Sequence, residues 1–236
     1  MASIQSPANQ LLQGLPAAEL EILRPRLGFV ELVRETVLAE AGGLLTQVYL
    51  PHSGAISMMV RLSEGQSIEV ATVGRDSVFG AAAALDGGVS LTDAVVVLPG
   101  TASTLDVADF RALADRSVAL RAALARHEQA ALALAQQSAA CNASHSVEAR
   151  LSRWLLRARD LYDSETLPLT QESLAQMIGV QRNAISIVAH ALQEAGVIRY
   201  SRGHIDITDV DGLKETACEC YGAVKAHHHR LLNVSH

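Results

Sequence analysis

The sequence predicts an α+β chain in three parts: an N-terminal β-barrel or sandwich, one long helix, and a C-terminal helix-turn-helix followed by a hairpin. Three observations carry this. From about Gly28 to Asp106, short β-rich runs are separated by turn residues about every 8–15 positions. From Asp109 to about Ala143 the chain is rich in Ala and Leu and holds neither Gly nor Pro. From Leu169 to Val188, a capping threonine, a turn glycine and two sets of apolar positions stand at the offsets of two crossed helices.

A chain of 236 residues with 49% apolar content is long enough for two packed domains. No apolar stretch approaches the ~18–20 residues needed to span a bilayer, and the N-terminus lacks a signal-peptide pattern, so a cytoplasmic protein with no membrane partner is expected. The odd set Cys141, Cys218 and Cys220 has no framework spacing, so no structural disulfide is expected. A net charge of −6 argues against nucleic-acid binding over the whole surface. The charge is uneven, however: residues 145–205 hold 7 Lys/Arg against 6 Asp/Glu, the only part with a positive balance.

Taken in order, Leu11, Leu12, Leu15, Leu20 and Leu23 around Pro16 predict short helical pieces, a lid. Strands are expected at Val30–Ala39, Gln47–Leu50, Ala55–Leu62, Ser67–Val73, Asp93–Leu98 and Ser103–Val107. Turns are expected between them at Ala41-Gly42-Gly43, His52-Ser53-Gly54, Ser63-Glu64-Gly65, Asp86-Gly87-Gly88 and Pro99-Gly100.

In the long helix, Leu113, Leu120, Leu124, His127, Ala131, Leu134, Ser138 and Cys141 are spaced 7, 4, 3, 4, 3, 4 and 3. That is the alternation of a helical seam, and it predicts self-association into a homodimer. Ser144 or Ser146 caps the next helix, with Val147, Leu151, Trp154, Leu155, Ala158 and Leu161 on one face and Arg150, Arg153, Arg157 and Arg159 partly on the other. Such an arginine stripe reads as a solvated face.

In the third part Thr170 caps a first helix whose Leu174 and Ile178 are buried, Gly179 takes a left-handed turn, and Ala175 is small where a second helix crosses. Ile185, Val188 and Leu192 bury that second helix. Its other face then presents Gln181, Arg182, Asn183, Ser186, Ile187 and His190, side chains able to pair with base edges or to pack on a thymine methyl. Val197–Ile207 predicts a hairpin turning at Ser201–Gly203, from which Arg199 and Arg202 would reach phosphates. Thr170 joins this expected double-stranded DNA surface.

Nearly the whole chain resembles the CRP/FNR family of bacterial regulators. The likeness rests on the text Val48-Tyr49-Leu50-Pro51-His52-Ser53-Gly54-Ala55-Ile56-Ser57, on Val73-Gly74-Arg75-Asp76-Ser77-Val78-Phe79-Gly80 and on the helix-turn-helix. The resemblance implies a double-stranded β-helix (jelly-roll) sensor domain at 1–108, a dimerisation helix at 109–143 and a winged helix-turn-helix at 144–236. It further implies dimeric binding to palindromic promoter DNA and contact with RNA polymerase, with the second helix of each helix-turn-helix lying in the major groove as it does in family members.

The chain departs from that family at three points. Members that bind cyclic AMP follow Phe-Gly with a Glu and later an Arg, whereas Phe79-Gly80 precedes Ala81 and Gly88–Ala94 holds no cation. A cyclic nucleotide phosphate would lose its charged partner, so gating by cyclic AMP is not expected. Iron-sulphur members carry N-terminal cysteines, and none precedes Cys141 here. In the reading helix, Asn183 and Ile187 replace the usual Glu and second Arg, so the usual target sequence does not transfer.

No cofactor and no metal is expected. His127 reads as a tolerated polar seam residue, with effector contact, haem ligation or pH sensing as alternatives. His227, His228 and His229 fan around a helix and read as a solvated tail. Cys218 and Cys220, placed on one helix, would point to different sides. Two other classes compete with a DNA-binding regulator. A cupin-like metal enzyme would need more ligands than His52 and Glu69. A protein-interaction module would not require the helix-turn-helix constraints.

Overall fold

The computed structural model describes residues 9–232. The chain opens with α1 (Gln10–Gln13), α2 (Ala17–Leu23) and a 3-10 turn at Arg24–Arg26. Asn9 fixes this lid. Its side-chain oxygen accepts from the Leu11 and Leu12 amides, and its Nδ2 donates to the carbonyls of Pro51 (2.9 Å) and Ser77 (2.8 Å). Leu11, Leu12, Leu15 and Leu23 are thereby buried against Val48, Leu50 and Leu105.

The β domain consists of β1 (Gly28–Leu32), β2 (Val37–Ala39), β3 (Gln47–Arg61), β4 (Ser67–Val73) and β5 (Asp93–Asp106), with α3 (Ala81–Leu85) inserted before β5. All pairings are antiparallel, in the order β1-β5-β3-β4 with β2 also on β5. This is a jelly-roll-like domain, as expected, but two predicted turns are absent. His52-Ser53-Gly54 and Pro99-Gly100 lie inside β3 and β5, which pair from Gln47↔Asp106 to Met59↔Asp93. They are bulges, marked by register shifts between Pro51 and Ile56. Gly54 has φ +79°, and a Cβ there would fall 2.6 Å from the carbonyl oxygens of Leu98 and Pro99, so the two backbones approach too closely for any side chain. Glycine and proline mark the site correctly, but the chain bends without reversing. The single run predicted at Val30–Ala39 is likewise two strands, interrupted at Glu35 with φ 68°.

The predicted long helix is two helices, α4 (Val107–Arg116) and α5 (Val118–Ser144). Ser117 separates them and caps α5, accepting from the Leu120 amide at 2.9 Å. Leu113 therefore belongs to α4, and with Leu120 and Leu124 it is buried against the β domain and lid of its own chain. The seam positions in the first half of the helix face inward.

The C-terminal part comprises α6 (Val147–Tyr162), β6 (Thr166–Leu167), α7 (Gln171–Ile178), α8 (Arg182–Glu194), β7 (Ile198–Ser201), β8 (His204–Ile207), α9 (Val210–Thr216) and α10 (Cys220–Leu232). The three short strands pair in the order β6-β8-β7. Ser146 caps α6, as expected, by accepting from the Ala149 amide. The core around Leu151, Leu155, Leu174, Ile185 and Ile205 also contains Ala55 and Leu98 of the β domain, so one packed cluster spans both parts. After α9 the chain turns back, and α10 packs along α5. No described helix is long and apolar enough to cross a membrane.

The arginine stripe of α6 is not a solvated face. Arg150 is only 9% exposed, and Arg157 is held in a bidentate pair by Asp76, with contacts of 2.6 and 2.9 Å. The β domain and α10 occupy the side of α6 that an isolated amphipathic helix would turn to water. Nothing local in the sequence announces either neighbour.

Candidate nucleic-acid interface and the cavity behind it

The helix-turn-helix is assembled by local rules. Thr170 Oγ1 accepts from the Ser173 amide (3.1 Å) while the Thr170 amide donates to Ser173 Oγ (3.0 Å), a reciprocal cap at the start of α7. Thr170 is thus engaged in holding α7. Gly179 ends that helix at φ +69°, and Leu174, Ala175 and Ile178 are buried beneath it. On α8 the buried residues are Ile185, Ala189 and Leu192, with Val188 partly buried.

The opposite face of α8 carries Gln181, Arg182, Asn183, Ile187 and His190, all exposed, Ile187 to 72%. An apolar residue so open among polar neighbours has no packing duty in the chain. Ser186 is half-buried, and its hydroxyl donates to Gln171 Oε1 at 2.7 Å, so it braces α7 against α8. His190 lies 3.4 Å from Glu194. Beyond α8, Arg202 and Gly203 form the turn between β7 and β8, with Gly203 at φ +75°. Arg202 is exposed at the tip, while Arg199 stands lower on the wing with its Nε 3.4 Å from Asp206.

A cavity of about 510 Å³ opens in the β domain, lined among others by Met58, Val73, Phe79, His127, Leu134 and His228. Among the described residues its lining contains no arginine or lysine, and its carboxylates are Asp86 and Glu128. Arg75, two residues before the lining residue Ser77, is engaged with α6, donating to the Asp160 carbonyl and to Asp163 Oδ2 (3.2 Å). His127 is satisfied within the chain: its Nε2 accepts from the Val78 amide (3.2 Å) and lies 2.7 Å from Ser77 Oγ. Ala131 and Leu134 line the same cavity.

His228 does not stand in a solvated tail. Instead α10 carries it to the cavity, with its Nδ1 3.7 Å from Asp76, and burial pushes its imidazole below the ordinary value. The side chain is only 14% exposed.

The polar contacts between cavity and DNA-binding part run through α6. Burial alone would raise the Asp76 carboxyl, but the Arg157 guanidinium outweighs it and holds the group below the usual carboxylate range. Next to it, Glu69 accepts from Ser57 (2.5 Å), Thr72 (2.7 Å) and the Trp154 indole (2.8 Å). Burial pushes this carboxyl up despite those donors. At the N-terminal end of α6, Arg150 donates to the carbonyl of Ile178, the last residue of α7. His52 pairs separately with Ser103 at 2.8 Å, so His52 and Glu69 have different partners.

The cysteines reverse an expectation. Cys218 precedes α10 and only Cys220 lies on it, so the helical spacing argument fails and both thiols turn toward the end of α5. The ligand atoms of Cys141, His145, Cys218 and Cys220 all lie within 4.8 Å of one another. Cys141, expected at a dimer seam, is fully buried in this group.

Two family models match the chain: a cyclic nucleotide-binding domain over residues 29–117 and a Crp-like helix-turn-helix domain over residues 149–216. Together they take in more than half of the sequence. No curated protein sequence matches. Among solved structures, a protein described as a transcriptional regulator of the crp/fnr family from Eubacterium rectale superposes with a TM-score of 0.69 at 16% identity, covering 89% of this chain and 98% of its own. FixK2 from Bradyrhizobium japonicum gives 0.68 at 16% identity, covering 81% and 98%. A CRP/FNR family transcriptional regulator from Thermus thermophilus gives 0.66 at 24% identity, covering 80% and 98%. At these identities the superpositions establish the fold, and the two matched domains carry the assignment. With a cyclic nucleotide-binding domain followed by a Crp-like helix-turn-helix domain, the chain belongs to the CRP/FNR family of transcription regulators.

Proposed function

We propose that this regulator binds palindromic promoter DNA as a homodimer, reads base edges with α8, and is not gated by cyclic AMP. The observation that carries the reading is the unsatisfied outer face of α8, where Gln181, Arg182, Asn183, Ile187 and His190 stand exposed directly opposite the buried Ile185, Ala189 and Leu192. Arg182 at the helix start is suited to guanine, and Ile187 to a thymine methyl. Arg202 at the wing tip is suited to phosphate, with Arg199 a second backbone contact. Ser186 and Thr170 support these residues from within the motif. RNA polymerase is the further partner of a regulator bound at a promoter.

Self-association is assigned to a different face of α5 from the one the spacing suggested. Leu120, Leu124 and Cys141 are buried in their own chain, and His127, Ala131 and Leu134 line its cavity; Ser138 shares a groove with Trp154 and Ile178. The outward face instead carries Val118, Ala125, Leu132 and Ala139 at seven-residue intervals, with Val118 72% and Leu132 59% exposed. Small residues at two of the four positions allow helices to approach closely. Cyclic AMP independence is supported by the cavity lining, which among the described residues offers a phosphate no arginine or lysine.

In binding assays on a selected palindrome and on scrambled DNA at several salt concentrations, Arg182→Ala costs about 1–3 kcal/mol per half-site and relaxes preference at one base pair. Arg202→Ala weakens all sequences alike and lowers the log-affinity against log-salt slope by about one per contact. Equal loss of specific and non-specific affinity in Arg182→Ala would remove α8 as the reader. In sedimentation, Ala125→Glu with Leu132→Glu yields folded monomers, whereas Leu124→Glu disrupts the β domain itself; a dimeric Ala125→Glu/Leu132→Glu chain would sink the outward seam. Calorimetry with cyclic AMP and cyclic GMP shows no binding in the β domain, and micromolar binding there would contradict the reading of the cavity.

A further inference from the structure

We propose that Cys141, His145, Cys218 and Cys220 form a tetrahedral site for a single thiophilic divalent cation of the Zn²⁺ class, fastening the C-terminal helix to the hinge between α5 and α6. The four residues come from three separate segments: Cys141 near the end of α5, His145 in the link to α6, and Cys218 and Cys220 at the joint of α9 and α10. Their ligand atoms nonetheless converge within 4.8 Å. The Sγ atoms of Cys141 and Cys218 are 3.5 Å apart, and Cys220 Sγ is 3.6 Å from His145 Nδ1.

The two shortest separations match the edges of a single-metal site, and the remaining ones, within 4.8 Å, would close by a small side-chain adjustment on binding. A tetrahedron with Zn–S bonds of about 2.3 Å and a Zn–N bond of about 2.0 Å has edges of about 3.5–3.8 Å. An iron-sulphur cluster spreads its ligands over several iron atoms and needs wider spacing than this group provides. Three soft thiolates with one imidazole favour Zn²⁺ over the oxygen-seeking Mg²⁺ and Ca²⁺.

The surroundings have the features of an outer coordination shell. His145 turns Nδ1 to the thiols while its Nε2 lies 3.2 Å from the Glu219 carboxylate, the contact that fixes the tautomer of a metal-bound histidine. Gln137 Nε2 donates to Cys220 Sγ at 3.0 Å, a contact that orients the sulfur within the group. Three thiolates around a divalent ion leave one net negative charge. Arg150 and Arg153, on α6 beside the group, each carry a buried Nε with no hydrogen-bond partner among the described residues, cationic groups suited to that charge. Arg150 also holds the Ile178 carbonyl at the end of α7, so the ion would set the position of α6 beneath the helix-turn-helix.

The test uses the full chain purified under reducing conditions, stripped with chelator and reloaded with Zn²⁺ or Co²⁺. The expected result is one Zn²⁺ per chain by elemental analysis, and a tetrahedral Co²⁺ spectrum with thiolate-to-metal charge transfer that one equivalent of Zn²⁺ abolishes. Cys220→Ser loses that spectrum. Glu219→Gln keeps it but lowers affinity about 10–100-fold. Because a cysteine variant can misfold, thiol reactivity of the unmodified chain is measured as well, and one equivalent of Zn²⁺ should protect all three cysteines. The proposal is overturned by substoichiometric metal after reloading, by an octahedral Co²⁺ spectrum, by unprotected thiols, or by a Cys141→Ser/Cys218→Ser/Cys220→Ser chain that binds metal as before, which would move the ion to the histidines at 227–229.

Discussion

The pair between Asp76 and Arg157 is the contact on which the arrangement of the two domains depends. Asp76 follows β4 in the cyclic nucleotide-binding domain, and Arg157 lies on α6, the first helix of the DNA-binding part. Both side chains are largely withdrawn from water, at 11% and 18% exposure. A buried pair of this kind adds little net stability, because desolvation consumes most of the Coulombic gain, yet losing one partner leaves an uncompensated charge. Its value is positional. The bidentate geometry fixes the direction of α6, and the apolar contacts of Ala55 and Leu98 fill the space beside it.

With α6 fixed, the rest of the molecule falls into place on either side. Toward the cavity, Ser77 is adjacent to Asp76 in the chain and meets His127, while His228 arrives from α10. Toward DNA, Arg150 on the same helix holds the last carbonyl of α7, and α7 carries α8 through the Gly179 turn and the Ser186–Gln171 bond. A change of occupancy in the cavity that moved Ser77 or His228 would therefore bear on Asp76, and through α6 on the helix-turn-helix. Glu69 with Trp154 makes a second, parallel link from β4 to α6. The C-terminal helix closes the loop, since it runs from the cysteine cluster back to the cavity along α5.

Much of this is legible in the sequence, and the features that are not share one cause. The helix-turn-helix is legible because every requirement is local: a cap at Thr170, an αL glycine at Gly179 and apolar triplets at helical spacing. The β domain is legible as a class, but Gly54 and Gly100 look like reversals when they relieve a close approach of two strands 46 residues apart in sequence. Periodicity marks one face of the helix as apolar, but it cannot say that Leu113, Leu120 and Leu124 on that face pack against the β domain and lid of their own chain. The arginine stripe, His228 and the cysteines escape a local reading because each acquires its environment from a segment distant in sequence: Asp76 and the Ile178 carbonyl for the arginines, the return of α10 along α5 for His228 and the cysteines. Cys218 shows this most directly: the break between α9 and α10 at residues 217–219 removes the geometry that an unbroken helix would impose.

A double-mutant cycle on Asp76→Asn and Arg157→Met, measured by urea unfolding near neutral pH and again in acid, tests the central role of the pair most directly. Near neutral pH each single change is predicted to cost about 3–5 kcal/mol, because each leaves a buried group without its partner. The double mutant should be little worse than either single, which gives a large coupling energy. The carboxyl of Asp76 is held below its ordinary value in the folded chain. Its contribution is therefore fully present above the unfolded value of about 3.9 and is lost as pH falls through the lowered folded value, so the deficit of Asp76→Asn should shrink in acid. Additive costs within about 0.5 kcal/mol, or a deficit that does not change with pH, would contradict the positional role of the pair.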